Sequence, residues 1–210
     1  ARKIEITKSN RNAKSTLSEY NLEMTYAYLW CDFIYLDKYE RQEFLNKPEM
    51  NYLIEQVQHM THNVETGEIT KNYKLHFNQP VKELIWFYRS KYYEDLNRWD
   101  VYLCYNSTQD TDLPPLSELN LQFSGNNRLY NRDAEYYRLV QPILHHNSSN
   151  NDYIYMYSFA QNANSLQPSG AVNFSVVGDT RFNMTFHNYI TTGVIHIWAI
   201  NYNMLKIKKG

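Results

Sequence analysis

Histidine, cysteine and carboxylate spacings are the places where this sequence of 210 residues could do chemistry. A metal site built on a strand, as in cupins, needs His-x-His, because residues two apart share one face. None of the seven histidines has that spacing. His59 and His62 could share one face of a helix, but the apolar spacing around them predicts a strand. His145 and His146 are adjacent, and in a strand their rings would point to opposite faces. Both pairs read as loop or edge histidines. Asp110 and Asp112 could contribute to a calcium loop, yet neither EF-hand spacing nor a downstream Glu accompanies them. They read as a solvated loop. A glycosidase needs two carboxylates across a cleft, and the acids here scatter through turns and polar faces. The sequence has no Gly-rich phosphate loop and no Gly-x-Ser-x-Gly elbow. Cys31 and Cys104 sit in apolar runs, where a reduced cysteine serves as a small hydrophobe. Two cysteines do not make a disulfide framework, which fits a reducing compartment. The expectation is therefore no catalytic residue, no metal ligand and no cofactor.

Four Asn-x-Ser/Thr sequons, at Asn106, Asn147, Asn173 and Asn183, are candidate glycosylation sites. Asn173 and Asn183 fall inside predicted strands, where a glycan fits only if the side chain faces outward. An Asn-rich chain produces such triplets by chance, and that is how they are read.

The elements that would position any site come from composition and periodicity. Hydrophobic residues make up 43% and aromatics 16%, enough for a core and against wholesale disorder. Twenty tyrosines suit pleated surfaces, with rings packed and hydroxyls wet. A net charge of -1 offers no basic stripe for direct nucleic-acid binding. The Lys206, Lys208 and Lys209 cluster reads as a strand end returning to solvent. No apolar run approaches the roughly 18 residues of a transmembrane segment. The chain starts at Ala1 with a polar, basic stretch, which reads as the interior of a longer chain.

Alternation with period two dominates. Residues 116–123 put Leu119, Leu121 and Phe123 on one face and Glu118, Asn120 and Gln122 on the other. Residues 181–186 do the same with Phe182, Met184 and Phe186. Val172, Phe174 and Val176 form a third stripe, and 153–159 reads as a strand buried on both faces. The run 194–207 is a long final strand. Upstream, 22–36 reads as extended, and 51–59, 72–77 and 81–88 as strands. Asp37 fits the N-cap of a short helix over 38–45, ended before Pro48. A second short helix is expected over 133–139, before Pro142. The stretch 91–115 reads as a long loop with one strand at 99–105. Turn signals such as Ser124-Gly125, Pro168-Ser169-Gly170, Gly178-Asp179 and Thr192-Gly193 separate the runs. Short strands with such turns predict an all-β sandwich with one or two short helices.

Several segments together resemble one family. Tyr35-Leu36-Asp37 with Glu40-Arg41 and Phe44, then Tyr52-Leu53-Ile54-Glu55-Gln56, is similar to the middle of the major capsid proteins of nucleocytoplasmic large DNA viruses. Phe77-Asn78-Gln79-Pro80-Val81-Lys82-Glu83-Leu84-Ile85-Trp86 resembles a strand pair of that family, and Tyr136-Tyr137-Arg138-Leu139-Val140-Gln141-Pro142 a short segment after it. The most specific resemblance is Ile154-Tyr155-Met156-Tyr157-Ser158-Phe159-Ala160 followed by Gln167-Pro168-Ser169-Gly170-Ala171-Val172-Asn173-Phe174-Ser175. The end, 201–210, is similar to the family's final strand. Val176 stands where relatives usually carry Arg, and 91–115 has no counterpart.

The resemblance implies a double jelly roll, with 1–48 the end of the first jelly roll and its connection, and 49–210 the second, C-terminal one. It implies a homotrimer of pseudo-hexameric outline that tiles an icosahedral shell. Its partners would be itself, neighbouring capsomers and minor capsid proteins, in a virion assembled in the host cytoplasm, and it would not be an enzyme. Fold alone does not give function, so two other readings stay open. One is a carbohydrate-binding jelly-roll module, with Trp30, Trp86, Trp99 or Trp198 stacking on sugars. Three of the four lie in predicted strands, which favours core or interface, and Trp99 is the exception. The other is a jelly-roll hydrolase with a pair of acids facing each other in one cleft.

Overall fold

The structure is a computed structural model and describes residues 26–148, 152–165 and 167–208. The basic start, residues 22–25 of the expected extended run, and Lys209 lie outside the described residues. The described residues divide into two units, one holding residues 26–53 and 204–208, the other the described residues between 54 and 203.

In the first unit, residues 26–37 form no strand or helix, so the extended run 22–36 is not part of a sheet where it is described. Its aromatic residues are open to solvent, Trp30 at 94% exposure, so Trp30 is not a core residue here. Helix α1 (Lys38–Asn46) follows and starts as the sequence predicts. Asp37 Oδ1 accepts from the amides of Tyr39 and Glu40, while Glu40 reaches back to the Asp37 amide, closing a capping box. Pro48 disfavours helix at Lys47, and the helix stops.

The second unit is a two-sheet sandwich. Strands β1 (Glu49–Val64) and β12 (Gly193–Lys208) have their far ends in the first unit; the others are β2 (Thr70–Leu75), β3 (Pro80–Ser90), β4 (Cys104–Asn106), β5 (Thr111–Leu113), β6 (Leu116–Phe123), β7 (Asn126–Asn127), β8 (Arg132–Asp133), β9 (Ile154–Ser158), β10 (Val172–Asn173) and β11 (Thr180–Phe186). One sheet runs β1-β12-β3, with β9 and β10 sharing the far side of β3. The second runs β2-β11-β6, with β7 and β8 on the far side of β6. The last strand inserted between first and third, facing a sheet that holds the second and the penultimate, is jelly-roll order. All the recorded pairings are antiparallel.

Alternation explains the strands. Phe182, Met184 and Phe186 of β11 point inward, level with Tyr73 and Leu75 of β2 and Leu119 and Leu121 of β6. From the opposite sheet come Leu84, Trp86 and Tyr88 of β3, Tyr155 of β9, and Ile195 and Ile197 of β12. Trp86 is central, 4.9 Å from Phe182, 5.3 Å from Tyr137 and 6.1 Å from Tyr155 between ring centroids. Tyr73, Tyr88, Tyr137 and Tyr155 are core residues, contrary to the wet-hydroxyl expectation, while Tyr35, Tyr39 and Tyr130 are exposed as it has them. The Tyr137 hydroxyl donates to Leu119 O at 3.0 Å and that of Tyr88 to Thr191 O at 2.7 Å, which satisfies them without water. Burial pushes the Tyr88 hydroxyl up to about 12 and raises those of Tyr73, Tyr137 and Tyr155 further.

Three local expectations are corrected. The stripe through Val176 fails, because only Val172–Asn173 is strand. Asn173 Oδ1 accepts from the Ser175 amide and Asn173 O from the amides of Val176 and Val177, so an Asx turn bends the chain. Phe174 is thereby turned into the core and Val176 out, at 78% exposure. The second helix is present over 134–140 but does not stop before Pro142. A π-helical stretch (Tyr136–Val140) runs directly into α3 (Gln141–His146), and Pro142 stands in the first turn of α3, where the helix changes from π to α. In 91–115 the strand is confined to Cys104–Asn106, paired as a hairpin with Thr111–Leu113, and a helix α2 (Lys91–Asp95) precedes it, capped by Ser90.

Candidate functional site

The two outer faces of the sandwich differ in chemistry. On the β2-β11-β6 sheet, cross-strand register lines up Lys74, Arg181 and Gln122 in one row, then Asn72, Asn183 and Asn120, then Thr70, Thr185 and Glu118. Every member is polar, as a face held in water requires. Outward positions of the other sheet read Glu55, Val57, His59, Thr61 and Asn63 on β1, Val194, His196, Trp198 and Ile200 on β12, and Glu83, Ile85, Phe87 and Arg89 on β3. Val57 is 63% exposed. An outer face with an apolar, aromatic middle and polar residues around it, on one sheet only, is the mark of a surface built to be covered.

The centre of this face is a ring cluster. His196 pairs with Phe87 across β12 and β3, and Trp198 with Ile85. Trp198 lies 4.8 Å from Phe87 and 4.5 Å from His59. His59 Nε2 and His196 Nδ1 are 3.1 Å apart, with ring planes within 4° and centroids 5.3 Å apart. Those distances place the two rings edge to edge, so one nitrogen donates a hydrogen to the other. Burial, then Arg89, then His59 hold the His196 imidazole well below its usual range, at about 4. From 91–115, Tyr102 covers Phe87 at 4.6 Å, and the Arg89 guanidinium lies 5.0 Å from the Trp99 ring.

The other end of the same face is sealed by the chain itself. Lys82 and Glu83, both nearly fully buried, reach different partners. Lys82 Nζ donates to Glu55 Oε1 at 2.6 Å and to Ala163 O at 2.8 Å. Glu83 Oε2 meets His146 Nε2 at 2.6 Å, while His146 Nδ1 meets Asn164 Oδ1 at 2.8 Å. Gln141 Oε1 accepts from the Ser158 amide at 3.0 Å. Buried charges in pairs, each with further hydrogen bonds, fix α3 and residues 160–165 against the sheet. On its solvent side α3 and the turn before it expose Leu139, Val140, Ile143 and Leu144.

The residues singled out by sequence are placed as follows. His59 and His62 sit on β1 and face opposite ways, His59 outward and His62 against Tyr73 at 4.7 Å. His145 and His146 end a helix rather than lying in a strand, and both are bonded. Asp110 accepts from Tyr105 and Asp112 from Tyr93, so the two acids serve separate tyrosines. Among the described residues no three His, Cys, Asp or Glu gather to hold a metal ion. Asn106 lies on β4, exposed Asn147 ends α3 in the left-handed region, exposed Asn173 holds the Asx turn, and half-buried Asn183 lies between Asn72 and Asn120. Trp86 is core, Trp198 is flanked by His59 and Phe87, and Trp99 is half exposed. The partner of His59, His196, was not foreseen: it lies far along the chain, and only strand register brings the two together.

A family model described as large eukaryotic DNA virus major capsid protein matches residues 40–210. The chain is 31% identical over 207 residues to the major capsid protein of Pyramimonas orientalis virus, covering 88% of this chain and 47% of that protein. It is 29% identical over 191 residues to probable capsid protein 4 of Acanthamoeba polyphaga mimivirus, covering 86% of this chain and 37% of that one. Among solved structures, a quasi-atomic model of the PBCV-1 virus capsid superposes with a TM-score of 0.73 at 24% identity, over 84% of this chain and 53% of that chain, a likeness of fold. The chain spans about half or less of the length of these curated relatives.

Proposed function

Since the chain belongs to the family of large eukaryotic DNA virus major capsid proteins, we propose that it is a structural subunit of an icosahedral shell, acting by assembly and not by catalysis. In this reading three copies form a homotrimer of pseudo-hexameric outline, which meets neighbouring capsomers and minor capsid proteins. Residues 1–48 are the end of a first jelly roll and its connection, and 49–210 a second. The place of action is the virion, after assembly in the host cytoplasm, with no direct contact to nucleic acid.

The observation that carries this reading is the contrast between the outer faces, one polar throughout and one bearing Val57, Phe87, His196 and Trp198. A rigid sandwich with one wet and one apolar side meets a partner in a fixed orientation. Repeated around a ring, a heterologous contact of that kind closes into a trimer. Permanent interfaces of this sort bury roughly 2,000 Å² or more, and a net charge of -1 sets up little mutual repulsion. A sugar platform fits less well, because Trp198 already has rings packed around it. Size-exclusion chromatography with light scattering on the full chain is the test. A stable trimer supports the proposal, and a monomer at all accessible concentrations sinks it.

A further inference from the structure

The ring cluster on the apolar face also fastens an edge strand. Among the described residues strand β1 has β12 as its one neighbour in the sheet order, so its hold there depends on that side. Besides the ladder, its side-chain ties within the second unit are of two kinds. Neutral ones link Gln58 to Asn78 O at 2.7 Å and to Asn201 Oδ1 at 2.9 Å, Gln56 to Asn203 at 2.8 Å, and Thr66 to Thr192 at 3.0 Å. Titratable ones are the Glu55–Lys82 pair and the His59–His196 contact on the outer face, and on the inner face His62, which packs on Tyr73 and meets the backbone of Lys74.

We propose that His59 and His196 form an acid-released latch that holds β1 to β12 on the contact face, so that acid loosens the edge of the surface used in assembly. The name of the surface rests on the reading above; the latch itself does not. With both rings neutral, one N–H points at one lone pair and the contact is attractive. One added proton leaves an imidazolium facing an imidazole. A second leaves two N–H groups facing each other across 3.1 Å, which is repulsive.

The surroundings give those charges no relief. From β3 the charged group facing His196 is Arg89, whose guanidinium lies 5.4 Å from the Phe87 ring that pairs with His196. From β12 and β3 come Trp198 and Phe87, and from 91–115 Tyr102, an aromatic wall. The carboxylates of this face, Glu55 and Glu83, are committed to Lys82 and His146. Two histidines and an arginine thus share one patch, and the charges that act on His196 are those of Arg89 and His59. The depressed His196 imidazole agrees, taking up its proton at about 4 against 6.5 for an unperturbed ring.

Amide hydrogen exchange on the full chain tests this, with protection of residues 54–64 compared with that of β11 in the opposite sheet. Between about pH 7.5 and about pH 4.5, β1 protection is expected to fall about tenfold or more while β11 holds. His196→Phe with His59→Phe keeps the rings, removes the protons and leaves Glu55–Lys82 and His62 intact; in that variant the fall is expected to shrink at least several-fold, to what His62 contributes. Protection of β1 that tracks β11 in the unaltered chain, or a fall undiminished in the double variant, overturns the latch. Should the variant not fold, ring-nitrogen NMR of the unaltered chain decides: His196 is expected to take up its proton well below an exposed histidine, and ordinary titration of both rings overturns the proposal. A chain that stays monomeric sinks the assembly reading alone, and an acid-insensitive β1 in a trimer sinks the latch alone.

Discussion

The ring of Phe182 packs 4.9 Å from that of Trp86, and the contact joins β11 of one sheet to β3 of the other through the middle of the sandwich. Both side chains are fully buried. Phe182→Ala should therefore leave a cavity between sheets and cost about 3–5 kcal/mol, while Phe182→Leu costs clearly less. Urea unfolding of the two variants beside the unaltered chain gives the difference. Equal midpoints for all three would mean that the sheets are not held together here.

Gly170 and Gly67 both take positive φ, and they predict different losses. A Cβ on Gly170, at φ 153°, would stand 2.5 Å from Phe159 O and 3.2 Å from Ala160 Cα. One on Gly67, at φ 82°, would meet nothing within 4 Å. Gly67→Ala should cost about 1 kcal/mol, the backbone conformation alone, and Gly170→Ala about 3 kcal/mol or more, because backbone must move as well. Thermal melts rank the two; the reverse order would contradict the packing of 159–160 against 170.

Lys82→Ala should cost about 3 kcal/mol. The Lys82 side chain is 5% exposed, while that of Glu55 is 39% exposed and can turn to water once its partner is gone. Lys82→Met, which keeps the apolar stem and adds no unpaired charge, should recover part of the loss. Chemical denaturation measures both, and a Lys82→Ala variant as stable as the original would show that the pair is ornamental to the fold.

Stability should decline in mild acid. His62, His187 and His196 are each held below the ordinary histidine value of 6.5, in every case mainly by burial. Below that value the unfolded chain binds more protons than the folded one, so unfolding becomes easier as pH falls. The histidine contribution is fully present above 6.5 and is lost progressively downward, for His196 through about 4. Unfolding free energies measured across that interval should drop, and more steeply than in His196→Phe. A flat profile would exclude buried neutral histidines.

The jelly roll was legible wherever one face of a strand is dry and the other wet. The alternation of 116–123 matches β6 to the residue, and that of 181–186 matches β11 but for Thr180. It failed at 172–176, where an Asn side chain captured its own backbone and period two stopped meaning strand. It failed at Pro142, which was read as a helix stop although a proline is equally at home in a first turn. Tyr88 and Tyr137 misled in another way, since their hydroxyls found backbone carbonyls inside the core. The contact face was half legible. Its outward Trp198 and Phe87 were visible as apolar residues, but which side of the sheet they take depends on the cross-strand register, which a single strand does not encode. The same holds for His59 and His196, whose meeting is a property of the sheet.

Four tryptophans serve this chain, and the structure seals Trp86 alone from water while leaving Trp30 and Trp99 open to it. Light emission from the indoles is therefore divided between an interior reporter ringed by Tyr137, Tyr155 and Phe182 and others that a dissolved quencher can touch. Loss of the sandwich and covering of the outer surface thus shift fluorescence in opposite directions, so one cuvette distinguishes a subunit that falls apart from one that finds its neighbours.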